Sequence, residues 1–322
     1  MHQVAIVGAG LAGLTAARLL GMAGASVTVV DRDDTVGGRL ATRRIGDAVF
    51  DHGAQFFTVR SNEFRDFVSE LIAADVVTEW CRGFEVLDGH PRYVCRQGMH
   101  TMADWLAAAA DCEVLTTTTV TAVRPGPDHW RVEHDRGVLE VDSVIMTAPV
   151  PQTTALLDAG GLSIPARAAA LLTNTRYHSA MALMTVLDRP SSVPDPGGVQ
   201  QPDHPHFSFI GDNQAKGISP VPAVTFHTTH GLTRELWNQP TESIIATLVD
   251  RARPWLGDAR IEAVELERWR YTGPVSAWPD RTVTLLDRPG LLAIAGDAFG
   301  GPKVEGAFLS GLAAGNALLA HH

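Results

Sequence analysis

The first residues whose types and spacing suggest chemistry are three glycines near the N-terminus. The GxGxxG pattern comprises Gly8, Gly10 and Gly13, and Asp31 follows at the end of the next apolar run. In this pattern the first glycine permits a tight turn, the second lets the backbone approach a pyrophosphate, and the third lets a helix pack closely on a strand. The carboxylate of Asp31 would accept hydrogen bonds from an adenosine ribose. The chemistry indicated is dinucleotide binding.

A second glycine pair follows in Gly37-Gly38-Arg39. Two adjacent glycines let the chain pass close beneath a diphosphate, and the forked donors of Arg39 can neutralise its charge. Alone, such a pair is more often a loop with a solvated arginine. Because it directly follows a dinucleotide-binding unit, we predict a further contact with the same ligand.

The segment Asp51-His52-Gly53-Ala54-Gln55 is predicted to be a tight backbone turn near that ligand. Adjacent Asp51 and His52 invite the hypothesis of a catalytic pair. We prefer a histidine that is hydrogen-bonded within the turn, because sequence neighbours rarely face one another.

Aromatic residues in the C-terminal half are candidates for the wall of a substrate pocket. Trp269 and Tyr271 are separated by one residue in a strand-like run, so their side chains share one face of the strand. A pair of ordinary core aromatics is an equal alternative. Arg270 points the other way and is interpreted as structural. For His227, in another predicted strand, a polar contact to a substrate carboxamide is the weaker hypothesis, and a structural role is preferred.

Predicted elements place the glycine motifs and Gly296-Asp297 at the edge of one sheet. A buried strand at Val4–Val7, a helix and a second strand at Val27–Val30 surround the first glycines. Near the C-terminus a buried strand ends at Gly296-Asp297, where open α/β sheets bind ligands. The following helix opens with Val304-Glu305-Gly306-Ala307. We expect its small residues, Ala307, Gly311, Ala314 and Gly315, to allow close approach of a large planar ligand.

The remaining pattern predicts an α/β fold with a Rossmann-type domain interlocked with an α+β substrate domain. A buried parallel strand at 141–147 is expected to return to the first sheet, whereas most of the later strands alternate as in an antiparallel sheet. We expect the nucleotide-binding domain to comprise residues 1–75, 114–152 and 285–322. The substrate domain then comprises residues 76–113 and 153–284.

Composition excludes several classes of protein. The chain of 322 residues has 26 basic and 36 acidic residues, and a net charge of −10 argues against nucleic-acid binding. Three cysteines without metal-ligand spacing suit reduced, buried thiols in a cytoplasmic protein, and no metal site is predicted. No apolar run reaches membrane-spanning length, so no membrane partner is expected.

Taken together, these motifs resemble those of the flavin amine oxidase superfamily, and within it the bacterial renalase-like proteins. The resemblance is carried by the glycine motifs, the segment from 51 to 55, Ala148-Pro149, Trp269-Arg270-Tyr271, Gly296-Asp297 and the helix opening at Val304. It implies non-covalent FAD on a p-hydroxybenzoate-hydroxylase-like fold. It also implies hydride transfer from substrate to flavin N5, followed by reoxidation with O2 to give hydrogen peroxide. Renalase-type substrates are the dihydronicotinamide isomers 2- and 6-dihydro-NAD(P), which return NAD(P)+.

The same resemblance implies which residues serve the cofactor and the substrate. The implied FAD contacts are Gly8, Gly10, Leu11, Ala12, Gly13, Asp31, Arg32, Gly38, Arg39, Gly53, Ala54, Gln55, Val120, Gly296, Asp297, Val304, Glu305, Gly306 and Ala307. The implied catalytic residues on the substrate side are Trp269, Tyr271 and His227.

Lysine usage departs from the pattern of many amine oxidases, which place a lysine near flavin N5 through a water. This chain has only Lys216, in a predicted loop, and Lys303, just before the last helix. Two alternatives stay open: an amine or polyamine oxidase, and a flavoprotein with a structural FAD and a binding role. The sequence also leaves open the choice of NAD or NADP, oxidase or dehydrogenase activity, and the oligomeric state.

Overall fold

The computed structural model describes residues 1–201 and 203–321. Its strands are β1 (Gln3–Val7), β2 (Ser26–Val30), β3 (Thr42–Ile45), β4 (Ala48–Asp51), β5 (Val77–Gly83), β6 (Leu87–Cys95), β7 (Glu113–Leu115), β8 (Val120–Pro125), β9 (Trp130–His134), β10 (Gly137–Val141), β11 (Ser143–Met146), β12 (Tyr177–Leu187), β13 (Gly198–Val199), β14 (Phe207–Asp212), β15 (Ala223–Thr228), β16 (Ile261–Pro274), β17 (Val283–Leu286) and β18 (Leu292–Ile294). Its helices are α1 (Leu11–Met22), α2 (Asn62–Ala73), α3 (His100–Ala109), α4 (Val150–Ala159), α5 (Ala166–Asn174), α6 (His230–Leu236), α7 (Thr241–Leu256) and α8 (Lys303–His321).

The glycine motif lies at the edge of a sheet with the strand order β17-β18-β11-β1-β2-β7. All neighbouring strands are parallel except the antiparallel edge strand β17. The predicted return of the chain to this sheet is confirmed, because β11 pairs with β1 with Ser143 opposite Val4. The carboxyl ends of β1 and β18 therefore meet at one edge, as a dinucleotide site requires.

Both faces of this sheet are buried, which explains the continuous apolar run in β1. Val4 and Ile6 face a core built mainly from α1, α2, α3 and α8. Ala5 and Val7 face a second core, built from the small sheet β8–β10 together with α4 and α5. The α/β architecture with a Rossmann-type domain is thus confirmed.

A second sheet, of order β13-β14-β15-β12-β16, is antiparallel throughout. Helices α6 and α7 pack on one of its faces, where Leu232 and Leu248 join a core with Leu183. Its other face turns toward β4, and Met184 packs there with Phe50. The two parts of the molecule meet along this second face.

Helix packing differs from the predicted domain boundaries. Met102 and Leu106 of α3 lie in one core with Leu14 of α1, although the range 76–113 assigned them to the substrate domain. Leu157 and Leu171, from α4 and α5, likewise pack against the parallel sheet. The apolar sides of these helices cover sheet faces that would otherwise meet water. We therefore propose that α3, α4 and α5 belong to the nucleotide-binding domain.

The small residues of α8 serve a purpose that the sequence did not predict. A Cβ at Gly311 would overlap the carbonyl oxygen of Ala12, and one at Gly315 would crowd Leu19. Ala314 is fully buried. The expectation that this stripe faces a planar ligand is wrong for Gly311, Ala314 and Gly315, because α8 uses them to pack on α1. No helix in the described part of the chain is long and apolar enough to cross a membrane.

Candidate active site

The first glycine turn has the backbone geometry that its sequence predicts. Gly8 has φ 111°, and a Cβ there would collide with the Thr147 hydroxyl. A Cβ at Gly13 would overlap the carbonyl oxygen of Gly8, so only glycine lets α1 lie this close to β1. Gly10 differs: among the described residues, no heavy atom lies within 4 Å of a Cβ built there.

The N-terminus of α1 opens onto this free space. Gly10 is the N-cap, and no side chain caps that end of the helix. The first N–H groups of α1, around the buried Leu11 and Ala12, together with the helix dipole, favour an anion at this point. The second glycine motif lies alongside, because the Gly37 N–H donates to the Ala9 carbonyl at 2.9 Å. Gly38 follows with φ 53° and approaches Gly10.

Asp31 lies at the end of β2 beside the turn. Its Oδ2 accepts from the Ala9 N–H at 2.6 Å, and its Oδ1 accepts from the Asp33 N–H at 2.9 Å. Burial raises the pKa of Asp31, and the two backbone hydrogen bonds oppose that shift. Arg32 is exposed, with its Nε 3.6 Å from the carboxylate of Asp33. Val120 begins β8 close by, since the Asp31 carbonyl accepts from the Thr118 N–H at 2.8 Å.

Arg39 connects distant segments of the chain. Its Nη2 donates to Asp297 Oδ1 at 2.8 Å, and its Nη1 donates to Asp297 Oδ2 and, at 3.3 Å, to the Thr272 carbonyl. The sequence predicted that this fork faces a diphosphate, whereas here it is bidentate on a carboxylate. Both partners were predicted cofactor residues, and the structure brings them together. The adjacent Gly296 N–H is held by the Ser310 hydroxyl at 2.7 Å.

Glu305 contacts the protein rather than an open pocket. Its carboxylate accepts from the Ser61 N–H at 2.6 Å and from the Arg60 N–H at 3.1 Å, so it stabilises the start of α2. The carboxylate of Glu305 thus anchors the start of α2, and the contact of this residue with the cofactor stays a prediction. Val304 is buried, and Gly306 packs against the Gly301 carbonyl, where a Cβ would not fit.

The predicted tight turn at 51–55 lies directly against Arg39. The Ala54 N–H donates to the Arg39 carbonyl at 2.8 Å, and a Cβ at Gly53 would overlap that same oxygen. The Gln55 amide closes the turn by donating to the Asp51 carbonyl at 2.5 Å. Gly53, Ala54 and Gln55 are thus held next to the glycine motifs.

Lys216 is the main site residue that sequence reasoning missed. It lies in a turn after β14, as predicted, but its side chain and that of Asp51 are both fully buried. Its ammonium group donates to Asp51 Oδ2 at 2.8 Å, to the Gln55 carbonyl at 3.1 Å and to Gln55 Oε1 at 3.3 Å. All three donors of the ammonium are used, so Lys216 fixes the turn. The scarcity of lysine in the sequence was the available signal.

Trp269 and Tyr271 of β16, here called the aromatic wall, alternate with an exposed residue as predicted. The Trp269 indole N–H donates to the His52 carbonyl at 2.7 Å, and its ring stacks on His52 with centroids 5.3 Å apart. Tyr271 lies 5.5 Å from Tyr177, ring to ring. Between them along β16, Arg270 is exposed. Sequence reasoning missed Tyr177, whose pKa is raised by burial and by the neighbouring Asp297.

Two histidines beside the wall are neutral at pH 7. Burial lowers the pKa of His52 and that of His227 to about 4 each. The Nε2 of His227 lies 3.1 Å from the His52 carbonyl. The His52 N–H donates to the Ala41 carbonyl at 3.1 Å, so the backbone of His52 is hydrogen-bonded in its turn as predicted, whereas its buried Nδ1 has no partner among the described residues.

An aromatic cluster that the sequence did not predict lies next to this turn. Trp80 of β5 and Phe84, the residue just after β5, both pack against Phe56. Phe56 and Phe84 also pack against Phe209, and all these centroid separations are 5.2 to 6.3 Å. The Lys216 ammonium lies 5.8 Å from the Trp80 ring. The hairpin β5–β6 is thereby joined to the second sheet.

These features fit a dinucleotide cofactor such as FAD. The open space at Gly10, the uncapped start of α1 and the carboxylate of Asp31 suit its diphosphate and ribose. Within the described residues no group of three His, Cys, Asp or Glu side chains could hold a metal ion.

Comparison with protein families gives two matches. A family described as NAD(P)-binding Rossmann-like domain matches residues 6–71, which contain the glycine motifs. A second family, described as flavin containing amine oxidoreductase, matches residues 83–319, most of the chain.

Curated relatives match shorter stretches. Hydroxyneurosporene desaturase of Rubrivivax gelatinosus is 46% identical over 59 residues, 18% of this chain and 11% of that protein. Coproporphyrinogen III oxidase of Mycobacterium tuberculosis is 26% identical over 213 residues, 60% of this chain and 45% of that protein. Putrescine oxidase of Kocuria rosea is 41% identical over 70 residues, 22% of this chain and 15% of that protein. The matches therefore span less than half the length of these relatives.

Solved structures match over the whole chain. A protein of Exiguobacterium sp. 255-15 assigned as a protoporphyrinogen oxidase has a TM-score of 0.79 at 12% identity, covering 100% of this chain and 99% of that one. Putrescine oxidase bound to putrescine has a TM-score of 0.71 at 16% identity, covering 99% of both chains. At these identities the likeness establishes the fold.

Proposed function

The chain belongs to the flavin-containing amine oxidoreductase family, and its cofactor is FAD; from this premise we propose that it is an FAD-dependent oxidase of renalase type. In this proposal the substrate is 2- or 6-dihydro-NAD(P), and the products are NAD(P)+ and, with O2, hydrogen peroxide. FAD supplies the hydride acceptor at N5 and the reaction with O2.

The pairing of the buried carboxylates is the observation that carries this proposal. Asp297 is bidentate on Arg39, and Asp51 is paired with Lys216. Asp297 lies beside Tyr177, which contacts Tyr271, and Asp51 directly precedes His52, which stacks on Trp269. Neither carboxylate is free to hold the ammonium group of an amine substrate. A dihydronicotinamide ring is neutral and flat, so an aromatic wall with neutral polar neighbours suits it better.

We assign roles to this chain's residues accordingly. Gly10 and the start of α1 hold the diphosphate, Asp31 holds the adenosine ribose, and the turn from 53 to 55 supports the flavin ring. Trp269 and Tyr271 orient the substrate ring and exclude water. Because the substrate already carries the hydride that it gives up, no protein group has to remove a proton, which agrees with two histidines whose pKa values lie near 4.

Amine oxidation is the second candidate function. Its support is the similarity of a 70-residue stretch and of the overall fold to putrescine oxidases. The reaction would need a partner for the substrate ammonium other than Asp51 or Asp297.

The cell compartment is also part of the proposal. Cys81, Cys95 and Cys112 carry free thiols, although only Cys95 is fully buried rather than all three as predicted. Unpaired thiols are typical of reducing compartments. We propose a cytoplasmic location on this basis.

Oxygen consumption with defined substrates tests the proposed reaction. The purified yellow protein is supplied in turn with 2-dihydro-NAD, 6-dihydro-NAD, ordinary NADH and putrescine, and peroxide and NAD+ are quantified. We expect consumption with the two isomers and one peroxide per NAD+ formed. Tyr271→Ala should keep FAD and lose turnover, whereas Glu262→Ala, at an exposed position of the same strand, should retain it. Oxygen consumption with putrescine and with neither isomer would identify the protein as an amine oxidase instead.

A further inference from the structure

Arg43 of β3 forms ion pairs with two acidic side chains of β16. Its Nη1 donates to the Glu265 carboxylate at 3.2 Å, and its Nη2 donates to that of Glu267 at 2.8 Å. A planar guanidinium can hold two carboxylates at once, whereas a lysine offers a single point charge. Because β3 pairs with β4 and β16 belongs to the second sheet, this contact ties the hairpin β3–β4 to the strand that carries the aromatic wall.

Glu265 and Glu267 lie on the same face of β16 as the aromatic wall. Side chains alternate along a strand, so residues 265, 267 and 269 share one face. The pairing of β16 with β12 is regular over this stretch, from Glu265 opposite Met184 to Trp269 opposite Ala180. Arg43 therefore holds β16 at the two side-chain positions that directly precede Trp269 on that face.

The hairpin that carries Arg43 also carries the turn on which the wall rests. Arg43 lies opposite Phe50 in the β3–β4 pair, and Phe50 packs with Met184 of β12. His52 follows two residues after Phe50, and its ring stacks on that of Trp269. Burial and, after it, the positive charge of Arg43 lower the pKa of His52, so the guanidinium lies within electrostatic reach of this turn.

Removal of Arg43 would leave two carboxylates facing the hairpin. Among the described residues, no other basic side chain forms an ion pair with Glu265 or Glu267. The two carboxylates would repel one another, and the electrostatic energy falls if β16 moves away from the turn. The Arg43 side chain is 36% exposed, so the ion pairs add little to global stability, and their effect is on the local position of β16.

We propose that Arg43 is a positioning residue, which holds β16 so that Trp269 and Tyr271 lie where hydride transfer to the flavin requires them. The inference rests on the proposed function, because it takes these two aromatic residues as the substrate wall. Misplacement of reacting groups by about 1 Å can lower a rate by about 100-fold. Arg43 itself touches no reacting atom and acts only through β16.

Arg43→Glu tests this role in the FAD-loaded protein. Three carboxylates then face one another, so the limiting rate of flavin reduction by 2- or 6-dihydro-NAD should fall about 10-fold or more, with FAD content unchanged. Arg43→Glu combined with Glu267→Arg exchanges the two charges and should restore the rate to within about 3-fold of wild type. Arg44→Glu is the matched control, because Arg44 is the exposed neighbour on the same strand. Its rate should stay within about 2-fold of wild type.

Access of a neutral quencher to the flavin gives a second readout that needs no substrate. Acrylamide quenches the fluorescence of bound flavin more strongly where the ring is less well covered. We expect stronger quenching in Arg43→Glu than in wild type, and wild-type quenching in the charge-exchanged variant and in Arg44→Glu. A role in global stability alone would leave the quenching of the folded protein unchanged.

The outcomes separate this inference from the proposed function. An unchanged rate in Arg43→Glu, while wild type is reduced by an isomer, would overturn the role of Arg43 alone. A rate that the charge exchange does not restore, or a loss of FAD from Arg43→Glu, would also overturn it. If neither isomer reduces wild type, the proposed function is overturned. Equal quenching in wild type and Arg43→Glu would then overturn the placement of β16 by Arg43 as well, and stronger quenching in the variant would support it.

Discussion

Two ion pairs between distant parts of the chain hold the candidate site at the scale of single residues. Lys216 and Asp51 are 165 positions apart, and Arg39 and Asp297 are 258 positions apart. Asp51 also accepts from the Thr42 hydroxyl at 2.7 Å and from the Met99 N–H at 2.8 Å. Desolvating such groups is costly, so each pair depends on keeping every partner in place.

Replacing Lys216 by methionine should destabilise the protein strongly. The change leaves Asp51 buried without its cation, which we expect to lower the free energy of unfolding by about 3–5 kcal/mol. The double variant Lys216→Met with Asp51→Asn should recover part of that loss, because no charge stays buried. Denaturant titration of the FAD-loaded proteins measures both. The control is Lys303→Met, at an exposed lysine. A double variant less stable than either single variant would contradict the pairing.

Stability should depend on pH through the two neutral histidines. Unfolded histidine has a pKa of 6.5, and burial lowers the pKa of His52 and that of His227 to about 4. Between pH 4 and pH 6.5 the unfolded chain binds more protons than the folded protein. The stabilisation that comes from these two neutral histidines is therefore complete above pH 6.5 and is lost as the pH falls toward 4. Replacing His227 by glutamine should reduce the loss of unfolding free energy between pH 7 and 5, by roughly 2 kcal/mol. Equal losses in wild type and variant would show that His227 does not titrate this way.

At the scale of elements, the first βαβ unit was predictable and the last helix was not. Gly8 and Gly13 have the turn and close-packing geometry that GxGxxG indicates, because those positions tolerate no side chain. Small residues in α8 are compatible with either a ligand or a neighbouring helix at short range. The position of α1 in the structure shows that the small residues serve a neighbouring helix, because Gly311 packs against Ala12.

Gly10 allows a test of what the start of α1 binds. Its φ of −75° suits any residue, and a Cβ there meets no protein atom within 4 Å. Gly10→Val should therefore fold and retain its thermal stability without cofactor. Its FAD content should fall by roughly an order of magnitude or more, because the side chain would occupy the diphosphate position.

The matched control is Gly231→Val, at a helical glycine where a Cβ meets one atom at 4.0 Å. This variant should keep its FAD. Fully loaded, yellow Gly10→Val protein would contradict the proposed placement of the diphosphate.

For the whole molecule, periodicity was sufficient to predict a parallel sheet interrupted by an antiparallel one. Runs such as β1 and β11 are apolar because both sheet faces are covered, and that burial is visible in the sequence. Lys216 and Tyr177 could not be placed, because their partners are far away in the chain and neither has a local pattern. The same holds for α3, whose apolar side gives no hint of which sheet it covers.

The substrate side of the site follows from how the two sheets face one another. β16 carries Trp269 to the turn that begins with His52, and β15 carries His227 to the same turn. The nucleotide motifs lie just beyond, linked through Arg39. We propose that a flat substrate ring held between Trp269 and the nucleotide motifs lies against the flavin and transfers its hydride there.

Anaerobic rapid mixing tests that claim most directly. The yellow protein is mixed with 2-dihydro-NAD, with 6-dihydro-NAD or with putrescine, and flavin absorbance is followed. We expect rapid bleaching by at least one dihydronicotinamide isomer, with NAD+ formed in equal amount and the yellow colour restored by air with release of peroxide. Bleaching by putrescine alone, or a flavin that stays oxidised with both isomers, would contradict it.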